Sequence, residues 1–269
     1  MKKLNKQFLS GQLTLGNVVN QFEEKIKKEV KTKYVVATSS CSSSLLVTLK
    51  FLKLKKKDEV ITTPLTFAST VHSIILSGAK PVLCDVNKYG NIDLNQVKKK
   101  ITKNTKAILI VNYGGLPCDL SEFKELCKKK NIFFIQDCAH SLGSKYKNES
   151  VAKYSDASCY SFYPTKNITT IEGGAICTNK KKLFLFAKNY INNGMNKNYR
   201  DRSKNLKFWD YDIVALGQKL HMTNIQATLG LQQLKNFKYM QKKRNENQNL
   251  YLKKINNKKV FLLNNFSNN

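Results

Sequence analysis

Between residues 34 and 136, short apolar runs alternate with helical patterns, and few folds accept that order. Residues 34–38, 59–63, 81–86, 107–111 and 132–136 have the β-branched and apolar content of strands. Residues 45–52, 67–76, 94–101 and 120–129 have the periodicity of helices. Strands and helices spaced in this way form βαβ units, so the chain is expected to be α/β, with a mostly parallel sheet covered on both faces. Ligands of such sheets gather outside the carboxyl ends of the strands. Ser40, Cys41, Ser42, Phe67, Asn112 and Asp137 fall there.

Ahead of the first strand, Val18, Phe22 and Ile26 recur at four-residue spacing, widened by Val19 and Val30, and predict an amphipathic helix. After that strand, residues 39–44 are hydroxyls and one thiol leading into a helix. Such a turn can offer free N–H groups to an anion, or it can simply be a serine-rich helix cap. Asp137 closes an apolar strand, where a carboxylate either finds a partner or caps a turn. His140 follows three residues later and, taken alone, reads as structural.

A second organising stretch spans residues 158–179. Two strand-like runs, 157–163 and 174–178, flank a polar connection holding Lys166, Thr169, Thr170 and Glu172-Gly173-Gly174. The glycine pair lets backbone approach closely. A lysine held there can lose its proton more easily and attack a carbonyl. In a chain of net charge +29, a plain surface lysine is the competing interpretation.

That charge would ordinarily raise nucleic-acid binding. The lysines are instead spread over likely element ends, as at 55–57, 98–100, 128–130 and 180–182. No RNP-type aromatic motif or zinc finger accompanies them, so no nucleic-acid partner is expected. Seven cysteines without a C-x-x-C pair, several inside apolar strands, read as buried thiols of a reducing compartment. Three separated histidines give no support for a metal site. No apolar run approaches the roughly 18–20 residues of a membrane span. Nothing at the N-terminus reads as a signal peptide, and the cytoplasm is the expected location.

Residues 183–191 read as a helix and 192–212 as a polar loop with Arg200, Arg202 and Trp209. Residues 213–220 are apolar but broken by Gly217, and a helix begins near Thr223 with Asn224 at its start. From 236 the chain reads as a Lys/Asn-rich helix, then a short strand at 260–263. The expected division is a large domain over 1–235, including an N-terminal segment 1–31, and the start of an incomplete small domain over 236–269.

Five blocks, in this order, resemble one family. They are Leu13-Thr14-Leu15-Gly16 with Phe22-Glu23, the run 58–67, Asp137-Cys138-Ala139-His140-Ser141-Leu142-Gly143, the run 161–174, and the run 216–231. Together they resemble the pyridoxal-phosphate-dependent nucleotide-sugar aminotransferases of the DegT/DnrJ/StrS type. The resemblance implies a three-layer, fold-type I large domain with the small C-terminal domain mostly absent. It implies pyridoxal 5'-phosphate held covalently by Lys166, with Asp137 at the pyridinium nitrogen. Cys41, Ser42 and Ser161 would face the phosphate, Phe67 the ring face and His140 the ring hydroxyl. It further implies a homodimer, an amino-acid donor such as glutamate, and a keto-sugar nucleotide acceptor for polysaccharide or glycan synthesis.

The sequence departs from that pattern in places. Cys41 stands where Gly or Ala is usual, Ser42 where Thr is usual, and Ile171 replaces a common Gly. Lys219-Leu220-His221 replaces Asn-Tyr-Arg, so Lys219 takes the position that reaches the partner's cofactor phosphate. Lys166 argues against related dehydratases, which carry histidine there. A truncated homologue that binds cofactor or partner without turnover is the alternative.

Overall fold

The computed structural model describes residues 2–196 and 211–255. Arg200, Arg202, Trp209 and the expected strand at 260–263 lie outside them. The chain opens with helices α1 (Lys2–Leu9) and α2 (Asn17–Val30), then runs β1 (Tyr34–Thr38), α3 (Cys41–Phe51), β2 (Glu59–Thr62), α4 (Ala68–Ser77), β3 (Lys80–Leu83), α5 (Leu94–Lys100), β4 (Thr105–Val111), α6 (Leu120–Lys130) and β5 (Phe133–Asp137). A small hairpin, β6 (Lys145–Tyr146) and β7 (Glu149–Ser150), precedes β8 (Ala157–Ser161) and β9 (Gly174–Thr178). Helices α7 (Lys181–Tyr190), α8 (Asn224–Lys235) and α9 (Phe237–Lys254) follow.

The main sheet has the order β1-β9-β8-β5-β4-β2-β3. All its pairings are parallel except those of β9, which runs antiparallel to β1 and β8. This is the mostly parallel α/β sheet that the alternation predicts. Its central strands are almost wholly buried, because helices cover both faces. β3 stops at Leu83 rather than reaching 86. Asp85 and Asn87 side chains take over the N–H groups of Val86, Tyr89 and Asn91, and the strand becomes a turn.

The motif residues near the N-terminus serve the frame. Phe22 is fully buried and meets Phe162 edge-on, with ring centroids 5.2 Å apart. Gly230 of α8 makes room, since a Cβ there would stand 2.5 Å from the Phe22 ring. Glu23, also buried, accepts from the Ala37 N–H and from Lys188 Nζ, tying α2 to β1 and α7. Asn224 Oδ1 accepts from the Val19 N–H and its Nδ2 donates to the Gln12 carbonyl, fixing the N-terminal segment on α8. α8 starts with a reciprocal capping box between Thr223 and Gln226. The apolar stretch 213–220 forms only isolated bridges, Met195 to Ile213 and Asn192 to Lys219. The backbone of Gly217 lies against Gly194 and Asn193, an approach that a side chain would block.

Candidate active site

Asp137 ends β5 and is 5 % exposed. Its Oδ2 accepts from Thr70 Oγ1 at 2.8 Å, and its Oδ1 accepts from the Ala139 N–H at 3.0 Å. Thr66 Oγ1 lies 2.8 Å from Thr70 Oγ1 and lengthens the chain. The carboxylate therefore both caps its own turn and faces the start of α4. Burial pushes its pKa up, opposed by these two hydrogen bonds and by His140 and Lys166.

The turn after β5 meets the β8–β9 connection. Lys166 Nζ lies 2.8 Å from His140 Nε2. Burial, then the neighbouring Lys166 ammonium, holds the imidazole below its usual range, while Asp137 pulls it upward. A neutral imidazole with its proton on Nδ1 can accept from Lys166. Asp137 and His140 belong to one sequence block and Lys166 to another, and the fold makes the two blocks neighbours.

The turn into α3 lies beside them, close enough for Asp137 and Lys166 to act on Cys41. The register aligns Thr38, Gly174 and Ser161 across β1, β9 and β8, so the N-terminus of α3 starts over Gly174. A Cβ at Gly174 would stand 2.6 Å from Cys41 N and closer still to the Ser40 carbonyl. The absent side chain is what lets the helix start there. Ser40 is the N-cap, its Oγ accepting from the Ser43 N–H. The N–H groups of Cys41 and Ser42 take no partner among the described residues. Ser40 thus caps the helix, and two backbone donors remain beside it. Ser42 is exposed; Ser161, nearly buried, accepts from the Tyr163 N–H at 3.4 Å. Cys41 Sγ donates to the Cys159 carbonyl at 3.6 Å. Burial and the Asp137 charge push its thiol well up, so it stays neutral.

Phe67 is the residue before α4 and is 79 % exposed, one helical turn from Thr70. The helix it precedes carries Thr70, which donates to Asp137. Two residues fall elsewhere. Asn112 is a frame residue: its Nδ2 donates to Gln136 Oε1 and its Oδ1 accepts from the Cys118 N–H, all buried. Lys219 is exposed, bridges to Asn192 and acts electrostatically on His221; its neighbours Leu220 and His221 pair with Ser39 and Thr38 at the start of the α3 turn, while no hydrogen bond or ion pair among the described residues joins its ammonium to the cluster.

The loop that carries Lys166 is tightly tied. Lys166 N–H donates to the Tyr163 carbonyl, Thr170 N–H to Phe162, and Phe162 N–H to Gly173. Thr170 Oγ1 and Gln226 Nε2 both donate to the Glu172 carbonyl at 2.7 Å. Ile171 has φ +71° and is 59 % exposed. A β-branched residue is costly in that region, which explains why glycine is the usual occupant. Thr66 and Gln226 lie inside the blocks noted in the sequence but receive no role there, and Thr70 lies outside them. A hydroxyl one turn after Phe67 was the available signal for Thr70.

All seven cysteines are free. No group of three His, Cys, Asp or Glu among the described residues could hold a metal ion. No helix among them is long and apolar enough to cross a membrane.

Residues 1–268 match the DegT/DnrJ/EryC1/StrS aminotransferase family. The chain belongs to that family. Within it, the chain is 35 % identical to UDP-4-amino-4,6-dideoxy-N-acetyl-beta-L-altrosamine transaminase of Campylobacter jejuni serotype O:23/36, over 90 % of this chain and 63 % of that protein. Among solved family structures, Helicobacter pylori PseC, an aminotransferase involved in the biosynthesis of pseudoaminic acid, superposes with TM-score 0.88 at 33 % identity. That match covers 95 % of this chain and 68 % of PseC. The PLP-form of the sugar aminotransferase Spr1654 from Streptococcus pneumoniae gives TM-score 0.86 at 26 % identity, covering 94 % and 67 %. The chain spans less than two thirds of the length of the curated relatives it matches.

Proposed function

We propose that this chain binds pyridoxal 5'-phosphate at the carboxyl edge of its sheet and moves an amino group from an amino acid, such as glutamate, to a keto-sugar nucleotide. The observation that carries this reading is the convergence of Lys166, His140 and Asp137 beside the α3 N-terminus over Gly174. A cytoplasmic setting with free thiols and a role in glycan assembly go with it.

The residues present fit the cofactor. A buried carboxylate with a raised pKa calls for a cationic partner, and a pyridinium nitrogen supplies one. The free donors of Cys41 and Ser42, with the Ser161 hydroxyl, suit a phosphate dianion. Phe67 would cover one ring face. Bound there, pyridoxal phosphate supplies an electron sink that eases proton removal at the amino-bearing carbon. Asp137 would keep the ring nitrogen protonated. Lys166 Nζ would hold the cofactor covalently and afterwards carry the proton to and from the substrate carbon. His140 Nε2, 2.8 Å away, would orient that amine. Homodimerisation, with Lys219 reaching the partner's phosphate, completes the proposal. An exposed ammonium without an ion pair among the described residues supports that use. Residues 236–269 are taken as the opening of a second domain, with α9 as its described part.

Borohydride reduction of the protein with added pyridoxal phosphate, followed by peptide mapping, tests the reading. The label is expected on Lys166 and is expected to vanish in Lys166→Ala. Label on another lysine, or none, would refute it.

A further inference from the structure

Helix α9 crosses both turns that bring Lys166 and His140 together. Phe237, at its start, is buried in the same core cluster as Cys138, Leu142 and Ile168. Gly143, three residues after His140, has φ +87°, and a Cβ there would stand 2.8 Å from Gln241 Nε2 and 2.9 Å from the Phe237 ring. The helix thus seats directly on the His140 turn. One turn further along α9, Arg244 Nη1 donates to Gln241 Oε1 at 2.7 Å. Its Nη2 donates to the carbonyl of Asn167 at 2.9 Å. Asn167 is the residue after Lys166. These contacts form a closed ring: His140, its turn to Gly143, Gln241, Arg244, Asn167, Lys166, and back to His140.

We propose that Arg244 is a positioning residue, which clamps the Asn167 carbonyl and so holds Lys166 Nζ against His140 Nε2. Two features support this role over a merely structural one. Arg244 lies on an exposed surface, so it buries no core of its own. Its two hydrogen bonds leave from separate nitrogens of one rigid plane, so the Gln241 bond aims the second donor at Asn167. Lysine at 244 would keep the charge and one donor but lose that fork. The proposal rests on Lys166 and His140 being the working pair of the proposed site. The α9 helix then adjusts the lysine without touching it.

Histidine NMR titration of the full chain without cofactor tests the clamp. The three histidines, His72, His140 and His221, are assigned with a His140→Gln variant. His140 is flanked by Asp137 and Lys166, and the ammonium helps to hold its titration low. In Arg244→Gln, Lys166 is freed to move away, and the His140 midpoint is expected to shift upward while His72 and His221 stay in place. Arg244→Lys is expected to restore part of the shift. Lys243→Gln removes the same charge one residue earlier, from a lysine that pairs with Glu246, and is expected to leave His140 unmoved. An unmoved midpoint in Arg244→Gln, or an equal shift in Lys243→Gln, overturns the proposal. The titration needs no cofactor, so its outcome is independent of whether borohydride labels Lys166.

Discussion

The two edges of the main sheet are built from the same strands and helices but carry very different charge. At the amino edge, lysines crowd every approach: Lys31 and Lys33 before β1, Lys55 to Lys57 before β2, Lys103 before β4, Lys128 to Lys130 before β5 and Lys180 to Lys182 after β9. At the carboxyl edge, the segments leaving β1, β2, β4, β5 and β8 contain a single lysine, Lys166, and the segment leaving the edge strand β3 adds Lys88. Helix geometry explains the asymmetry. In βαβ units the helices that lead into strands end at the amino edge, and α5 and α6 end in three lysines each. Cations are favoured there by the partial negative charge of a helix C-terminus. Substitution to lysine is cheap at that edge. At the other, helix N-termini disfavour a cation, and a stray ammonium would pair with the buried carboxylate. The net charge of +29 belongs to the frame, and it masks rather than marks the site.

The comparison is broken hardest at Asp137. In Asp137→Asn the cofactor is expected to stay bound while the donor half-reaction, followed by absorbance, slows on the order of a hundredfold or more. The same variant sharpens the comparison through stability. Asp137 has a raised pKa when folded, so its stabilising contribution is full below the unfolded carboxyl value and is lost as pH rises through the folded one. The cofactor-free variant should therefore melt higher than the parent at pH 7, with the gain fading as pH is lowered. Next comes Gly174→Ala, which places a methyl against the Ser40–Cys41 backbone. Overpacking there should cost about 1–3 kcal/mol in denaturant unfolding and weaken cofactor loading. Ile171→Gly works in the opposite direction: releasing the left-handed backbone should gain about 1 kcal/mol by the same measurement. The smallest effect is expected at the amino edge. Lys128→Gln, Lys129→Gln and Lys130→Gln together should leave cofactor loading unchanged and lower stability by only about 0.5 kcal/mol. A loss of loading in that triple variant would erase the distinction between the edges.

What could be read from residue order follows the same division. The alternation of periods gave the sheet and its layers because each period is local: strand and helix patterns declare themselves within ten residues or so. Asp137 and the Lys166 block were legible for a similar reason, as an acid closing an apolar run and a lysine between two strands. Gly174 was legible as one of a glycine pair, though only the register shows that its missing side chain makes room for α3. Other contacts join residues with no common local pattern. Thr70 meets Asp137, Gln226 meets Glu172, and Arg244 meets Asn167, each across a wide gap in the chain. A hydroxyl, an amide or a guanidinium on a helix surface looks alike whether it faces water or a distant carbonyl. Asn112 shows the converse, since a polar residue at a strand's carboxyl end can turn inward and serve the core.

The antiparallel strand β9 has a consequence for how the chain is made. β1 precedes every other described strand in the chain, yet its only neighbour in the sheet among the described residues is β9. Until residue 178 has been synthesised, β1 has an open edge on both sides, and its apolar residues must be kept from pairing elsewhere. The order of synthesis therefore leaves the turn over Gly174, which needs β1, β9 and β8 in register, unassembled until β9 is made, after the other described strands of the main sheet.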